Sequence, residues 1–126
     1  MNSSAMDLKD YLVANTALSF ATNLFIGFIP DNDIMVTGLF DSPGSPPSPN
    51  NIQNPVLQVM VRGTKNGYQT AFAQIELVTA ALHKLRNTTI NSTRYILVYK
   101  MNEPYHVGND SQARPIFSCT LTVQRT

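Results

Sequence analysis

Residues able to transfer protons, attack carbonyls or hold metals are few in this sequence. The only thiol is Cys119. The alternation that begins at Pro115 sets it with Phe117, Leu121 and Val123 on one apolar face, opposite Ser118, Thr120, Thr122 and Gln124. There a free cysteine packs as a small hydrophobe. The two histidines are His83 and His106. His83 follows Leu82 near the end of an expected helix, where an imidazole complements the helix dipole. His106 shares a polar stretch with Glu103 and Asp110, but no HxxxH or paired-histidine spacing accompanies it, so no metal site is expected. Asp31, Asp33 and Asp41 fall in turn-like sequence with no partner for acid–base work. No GxxxxGK[ST], GxGxxG or GxSxG motif is present. These residues predict a protein that is not an enzyme and binds no metal or cofactor.

Composition narrows the classes further. The chain has 126 residues, enough for one domain with a real core. Charged residues make up 13%, against about a quarter in ordinary globular proteins. A sparsely charged surface suits a subunit covered by its neighbours. Net charge is +1 and the nine Lys and Arg are scattered, which argues against sequence-independent nucleic-acid binding through a basic patch. One cysteine excludes an intramolecular disulfide and fits a reducing compartment. No apolar run reaches the roughly 18 residues of a membrane span. MNSSAMDLKDYL lacks the layout of a signal peptide. A soluble protein folding in the cytoplasm is expected.

The elements that position these side chains centre on residues 56–87. Leu57, Val59 and Val61 alternate with Gln58, Met60 and Arg62, predicting a strand with one buried face. Gly63 to Gly67 breaks the pattern as a turn. Ala71, Ile75, Val78, Leu82 and Leu85 then form one helical stripe, able to lie on the strand's apolar face. Before this seed, Ser3 or Ser4 caps a first helix ending near Asn15. Residues 24–29 and 34–41 read as a hairpin around Asp31-Asn32-Asp33. Residues 41–55 hold five prolines and read as a long exposed loop. Residues 87–93 read as a polar turn, 94–101 as a strand, 102–114 as a second loop, and 115 onward as a last strand. The order is α-β-β-β-α-β-β, an α+β fold with an antiparallel-rich mixed sheet of about five strands packed by two helices. On the fourth strand, Tyr95, Leu97, Tyr99 and Met101 share a face. Beside Arg94 and Lys100, Tyr95 and Tyr99 loosely match a base-stacking platform, but the K/R-G-F/Y signature of an RNA-recognition sheet is absent.

Across nearly the whole chain the order and spacing of short motifs resemble a known family. The motifs are Gly27 to Pro30 closing a strand, Asp41 to Pro47 opening the proline-rich stretch, and Val59 to Gly63 before the long helix. A tyrosine opens that helix, and Gly108, Asp110 and Phe117 follow late in the chain. This pattern looks like the small phage proteins called minor capsid proteins, the tail terminators or tail-to-head joining proteins of long-tailed phages. His106 and Val107 depart from it, where smaller or apolar residues are expected. The resemblance implies a structural virion protein at the head–tail interface, assembled in the host cytoplasm. It would form a ring, expected to be hexameric, that caps the tail tube, stops its growth and joins it to the head connector. Implied partners are other copies of the chain, the tail-tube protein and the head–tail connector. DNA would pass through without sequence recognition, and no membrane is involved. Alternatives are a head-completion adaptor, a tube-like subunit, or a small nucleic-acid-binding module.

A closed ring needs two different sticky surfaces on each subunit. On the resemblance, the first candidate is the proline-rich loop, with Asp41, Ser42, Pro43, Gly44, Pro46, Pro47 and Pro49, where proline lowers the entropy lost on docking. The second is the late loop, with Tyr105, His106, Asp110 and Arg114. Arg62 and Lys65, at the exit of the central strand, are candidates to pair with acidic groups on a neighbour.

Overall fold

The computed structural model describes residues 1–46, 51–83 and 85–126. The central stretch folds as its two periodicities require. Strand β3 (Asn54–Arg62) buries Leu57, Val59 and Val61 completely, and helix α2 (Tyr68–His83) lays Ala71, Ile75, Val78 and Leu82 against them. Leu85 joins this core from just beyond the helix. Helix α1 (Ser4–Asn15) adds Ala5, Leu8 and Leu12. Its first turn is capped twice. The Ser3 hydroxyl accepts from the Met6 N–H at 3.3 Å, and the Asp41 carboxylate, far away in sequence, accepts from the Ala5 N–H at 3.1 Å.

The remaining elements are β1 (Leu24–Ile26), β2 (Val36–Ser45), β4 (Arg86–Ile90), β5 (Thr93–Lys100), β6 (Tyr105–Asn109) and β7 (Pro115–Arg125). They form one seven-stranded mixed sheet in the order β1-β2-β3-β7-β5-β4, in which β6 also pairs with β7. One edge of β7 lies along β3; its other edge is divided between β6 near Pro115 and β5 near Arg125. Both helices pack on the same face. Register puts Leu39, Val59, Cys119 and Val98 on that face, and Phe40, Gln58, Thr120 and Tyr99 on the helix-free face. The molecule is α+β with two helices, as the periodicities predict, but it has two strands more than expected.

Four expectations need correction. Residues 24–41 are not a hairpin, because β1 pairs with β2 in parallel, Leu24 opposite Thr37. A parallel partner requires the chain to travel back first. Gly27, at φ 82°, starts that return, and Ile29 folds over Gly38, where an added Cβ would lie 3.0 Å from the Ile29 side chain. The proline-rich segment is not a single long loop either. Strand β2 continues through Ser45, and β3 begins at Asn54. Entropy disfavours this stretch as an isolated chain, but here its two arms satisfy each other's backbone groups. Pro43 is accommodated at an irregularity between Ser42 and Ser45. Gly44 lets the arms close, since a Cβ there would sit 2.1 Å from the Asn54 carbonyl oxygen. Pro47 and Pro49 lie outside the described residues.

Third, the polar segment 87–93 is largely taken up by β4, which starts at Arg86, and the segment 102–114 contains β6. Thr- and Asn-rich sequence takes the strand form when a neighbouring strand supplies the hydrogen bonds, a tertiary contribution that propensity omits. Fourth, the register shift between Tyr95 and Leu97 reverses the later part of β5. Tyr95 therefore faces the core with Val98, while Leu97 and Tyr99 face the other way. This overturns the stacking-platform alternative, because Tyr95 is fully buried and cannot receive a base.

The Tyr95 hydroxyl instead donates to the buried Asp7 carboxylate at 2.5 Å. Asn91 and Asn2 also donate to Asp7, at 2.9 and 3.2 Å, and Arg125 donates to the Tyr95 hydroxyl at 3.2 Å. Burial, reinforced by the hydrogen bond to Asp7, holds the Tyr95 phenol well above its ordinary pKa, so it stays a neutral donor. The network joins the first helix to the last strand. Tyr95→Phe should lower the unfolding free energy by about 1–3 kcal/mol, because it withdraws a donor from a buried carboxylate. Urea titration at pH 7 checks this; an unchanged midpoint would show the hydroxyl to be dispensable.

Candidate functional site

Because β3 and β7 run the length of the sheet in opposite directions, the two candidate loops leave it at opposite ends. The β2–β3 arm extends from one end, where Gln53 and Arg125 exchange backbone hydrogen bonds of 2.8 and 3.0 Å. The turn at 110–114 and the turn after β3 share the other end, tied by Gly63 N–H to Pro115 at 2.8 Å and Asn66 N–H to Ala113 at 3.2 Å. The nine residues of β3 separate these ends by roughly 30 Å, given about 3.3 Å per strand residue.

At the second end two arginines hold the segment that returns from β1. Arg62, on the helix-free face, donates from Nη2 to the Asn32 carbonyl at 3.0 Å, to the Asn32 side chain at 2.7 Å and to the Ile34 carbonyl at 2.9 Å. It also donates to the Pro30 carbonyl. Arg114 donates from Nε to Asp110 at 2.6 Å, from Nη2 to Asp31 at 2.8 Å, and to the Asn32 carbonyl. Both arginine side chains are buried and turned inward. Guanidinium geometry suits this task, since one planar fork reaches several carbonyls at once. Asp110 closes its own turn, accepting from the Gln112 and Arg114 N–H groups at 2.9 and 3.0 Å. Desolvation pushes the Asp110 pKa up, but those N–H groups and the Arg114 guanidinium outweigh it and hold the carboxyl below its usual value. Asp31 does most to raise the Arg114 pKa, with Asp110 adding to it against desolvation.

The structure thus brings Arg62, Asp110 and Arg114 together as an internal clamp. It adds Asp31 and Asn32, which sequence reading placed in a turn without assigning a role. Their signal was available in the Asp-Asn-Asp run, but only the fold shows which cations meet it. Lys65 is exposed and lines a polar cleft of about 590 Å³ with Asp33, Thr64 and residues 111–114. Asp41, Ser42, Pro43 and Gly44 lie on the arm with Pro46 just beyond, and Asp41 caps α1. Tyr105 is exposed on β6 and faces away from the helices. His106 faces the other way, its ring 5.1 Å from Tyr68 and 5.3 Å from Phe117 between centroids, and it bonds Asn109 at 3.1 Å.

Cys119 lies in the core as its alternation predicts, and its thiol donates to the Asn102 carbonyl at 3.3 Å. Burial pushes the thiol up to about 11, so it is protonated at neutral pH. The His83 imidazole accepts from the Lys100 N–H at 3.0 Å. Among the described residues no three His, Cys, Asp or Glu side chains are grouped to hold a metal. No helix among them is long and apolar enough to cross a membrane. What the site offers is a rigid end and a projecting arm, both suited to contact.

A family model described as bacteriophage tail terminator protein matches residues 6–126. The chain belongs to the bacteriophage tail terminator family. No curated protein matches it significantly. The match runs from the first turn of α1 to the end of β7. Membership makes this chain a structural component of a phage tail and of the virion. It works through contacts with other tail and head proteins.

Two outcomes follow for this tail terminator. The depressed Asp110 contributes stability that is present above the ordinary carboxylate value of 3.8 and is lost as pH falls through its lower folded pKa. The amides of Gln112 and Arg114 should therefore keep their protection at pH 4 and lose it in stronger acid, read by hydrogen exchange. Cys119 should resist iodoacetamide at pH 8 in the native protein, since a thiol of pKa about 11 is roughly one-thousandth thiolate there, and react fully in urea.

Proposed function

We propose that the protein ends tail-tube growth as a closed ring of identical subunits, six in number, seated on the finished tube. The ring offers its other side to the head connector, and DNA passes through without being read. The observation that carries this reading is the family match over residues 6–126. The placement of the arm and the clamp at opposite ends of β3 supports it, because a joining ring must meet two different partners on two sides. The arm, with Asp41 to Pro46, and the clamped end, with Lys65 exposed beside the Arg114 turn, are the surfaces assigned to those partners. The clamp keeps the second surface in one shape before any partner arrives, so docking costs little ordering entropy. The low charge of the chain fits a subunit whose sides are covered by its neighbours.

The test is the mass of the purified protein over a concentration series, with electron microscopy of the same samples. Six-subunit rings that bind tail-tube ends and block further tube growth are expected. Open-ended tubes made by this chain alone would overturn the reading in favour of a tube subunit. A monomer that leaves added tubes uncapped would overturn it outright. Within the capping protein, Arg62→Ala should free residues 30–34, raise their hydrogen exchange and weaken capping, while a distant exposed change such as Glu76→Gln leaves capping unchanged.

A further inference from the structure

Helix α1 ends without the groups that usually settle a helix terminus. Its last turn holds no basic residue, and the carbonyls of Val13, Ala14 and Asn15 accept no hydrogen bond from the described residues. Helix carbonyls point toward the C-terminus, and their summed dipoles leave partial negative charge there. This end opens onto a cleft of about 350 Å³ on the side of the sheet that the helices cover. Asn15 and Thr16 line it from α1, Leu77 and Ala81 from α2, and Leu18 and Met35 extend the apolar part of the wall. Leu77 is 53% exposed, a large apolar side chain left open on α2. No residue lining the cleft is charged.

Thr37 also lines the cleft, from the sheet. It stands opposite the core residue Val61 of β3, so its side chain is on the helix-covered face. Only 1% of Thr37 is exposed, and its hydroxyl has no hydrogen-bond partner among the described residues. A buried hydroxyl left unpaired is rare and costly, so a group that supplies the missing bond would be held.

We infer that this cleft seats one long cationic side chain, an arginine or a lysine, of a tail or head protein. The site goes beyond the ring reading and needs only the partner contacts through which the family works. Three features select this occupant. The volume lies at the lower limit of ligand sites, which suits a single side chain better than a cofactor or a folded element. The lining combines apolar walls with a few oxygens, matching a side chain whose stem is apolar and whose head is charged. Those oxygens, the free carbonyls of α1 and the Thr37 hydroxyl, can accept, whereas an ammonium or guanidinium only donates. Charge favours the same choice, because the negative end of α1 has no cation of its own chain in its last turn or in the cleft.

The probe is n-butylguanidinium chloride, which copies an arginine side chain, followed by heteronuclear NMR of the full chain. In a concentration range that leaves the melting temperature unchanged, it should shift the amides of residues 15–18, 35–37 and 74–81 and saturate. It should bind roughly two- to fivefold more tightly than n-butanol, the margin a cation gains at a helix C-terminus. Shifts only elsewhere, or equal binding of n-butanol, would overturn the cationic site. Thr37→Val breaks no hydrogen bond and should melt no earlier than the wild type, yet it should weaken binding. Ala81→Met should fill the cleft and abolish binding. Should that variant melt early, Leu77→Ser, at a half-exposed position, removes one wall instead. Undiminished binding in these variants would overturn the assignment. With the cleft saturated, attachment to tail tubes and to heads, assayed separately, should weaken for one of the two. If neither weakens, the cleft serves a free alkyl cation and the partner assignment falls. A protein that attaches to neither without the probe would overturn the ring reading, which binding of the probe itself does not touch.

Discussion

Strand β7 is the constraint on which the remaining architecture depends. It is the longest strand, it pairs along both edges, and its alternation aims Phe117, Cys119, Leu121 and Val123 into the core under α2. A strand flanked on both sides cannot slip by one residue without turning that whole row out to solvent, so its register is strongly specified. Its length lets it host two partners on one edge, β5 and β6, separated by residues 101–104. The join between them is sealed by the Met101 N–H donating to Thr120 at 2.8 Å and the Thr120 N–H donating to Asn102 at 3.0 Å. The late segment thereby becomes sheet, and its outer edge is held at a defined place on the subunit.

Two kinds of polar anchor fix the ends of this frame, and both use long side chains inside the subunit. At one end Arg125 reaches the Asn2 carbonyl at 2.8 Å and the Gln53 side chain at 3.0 Å, joining the N-terminus and the base of the arm to β7. At the other, Arg62 and Arg114 gather the carbonyls and carboxylates of residues 30–34 and 110. In a chain with so few charges, three of the cations are spent on building its own ends. The surface left for partners is correspondingly poor in charge and rich in aromatic, hydroxyl and amide groups. Such a surface favours contacts set by shape and burial over contacts set by long-range attraction.

The strand–turn–helix seed and the last strand were legible because each shows a clean period over many residues, and burial enforces that period. The β6 strand was not legible, because YHVGN has no period and becomes a strand only through β7. The face of Leu97 and Tyr99 was misjudged for a related reason: a one-residue irregularity after Tyr95 reverses every later side chain, and no residue type announces it. Among the candidate contact residues, Arg62 was singled out from its place at the exit of the central strand, and Asp110 and Arg114 from their place in the late loop, all three as groups facing a partner. Their role as an internal clamp depends on a turn more than 70 positions away in sequence for Arg114 and about 30 for Arg62.

By itself the sequence determined the α+β class, the central strand and helix, the core location of Cys119 and the resemblance to tail terminators. All of these follow from local periodicity, composition and the order of motifs, which a chain carries before it folds. Only the tertiary structure decided that β1 runs parallel to β2, that the proline-rich arm is a paired extension of β2 and β3, and that two arginines clamp the segment returning from β1. Those features arise where distant segments satisfy each other's backbone groups or leave them unsatisfied, and local sequence holds no record of which segments will meet.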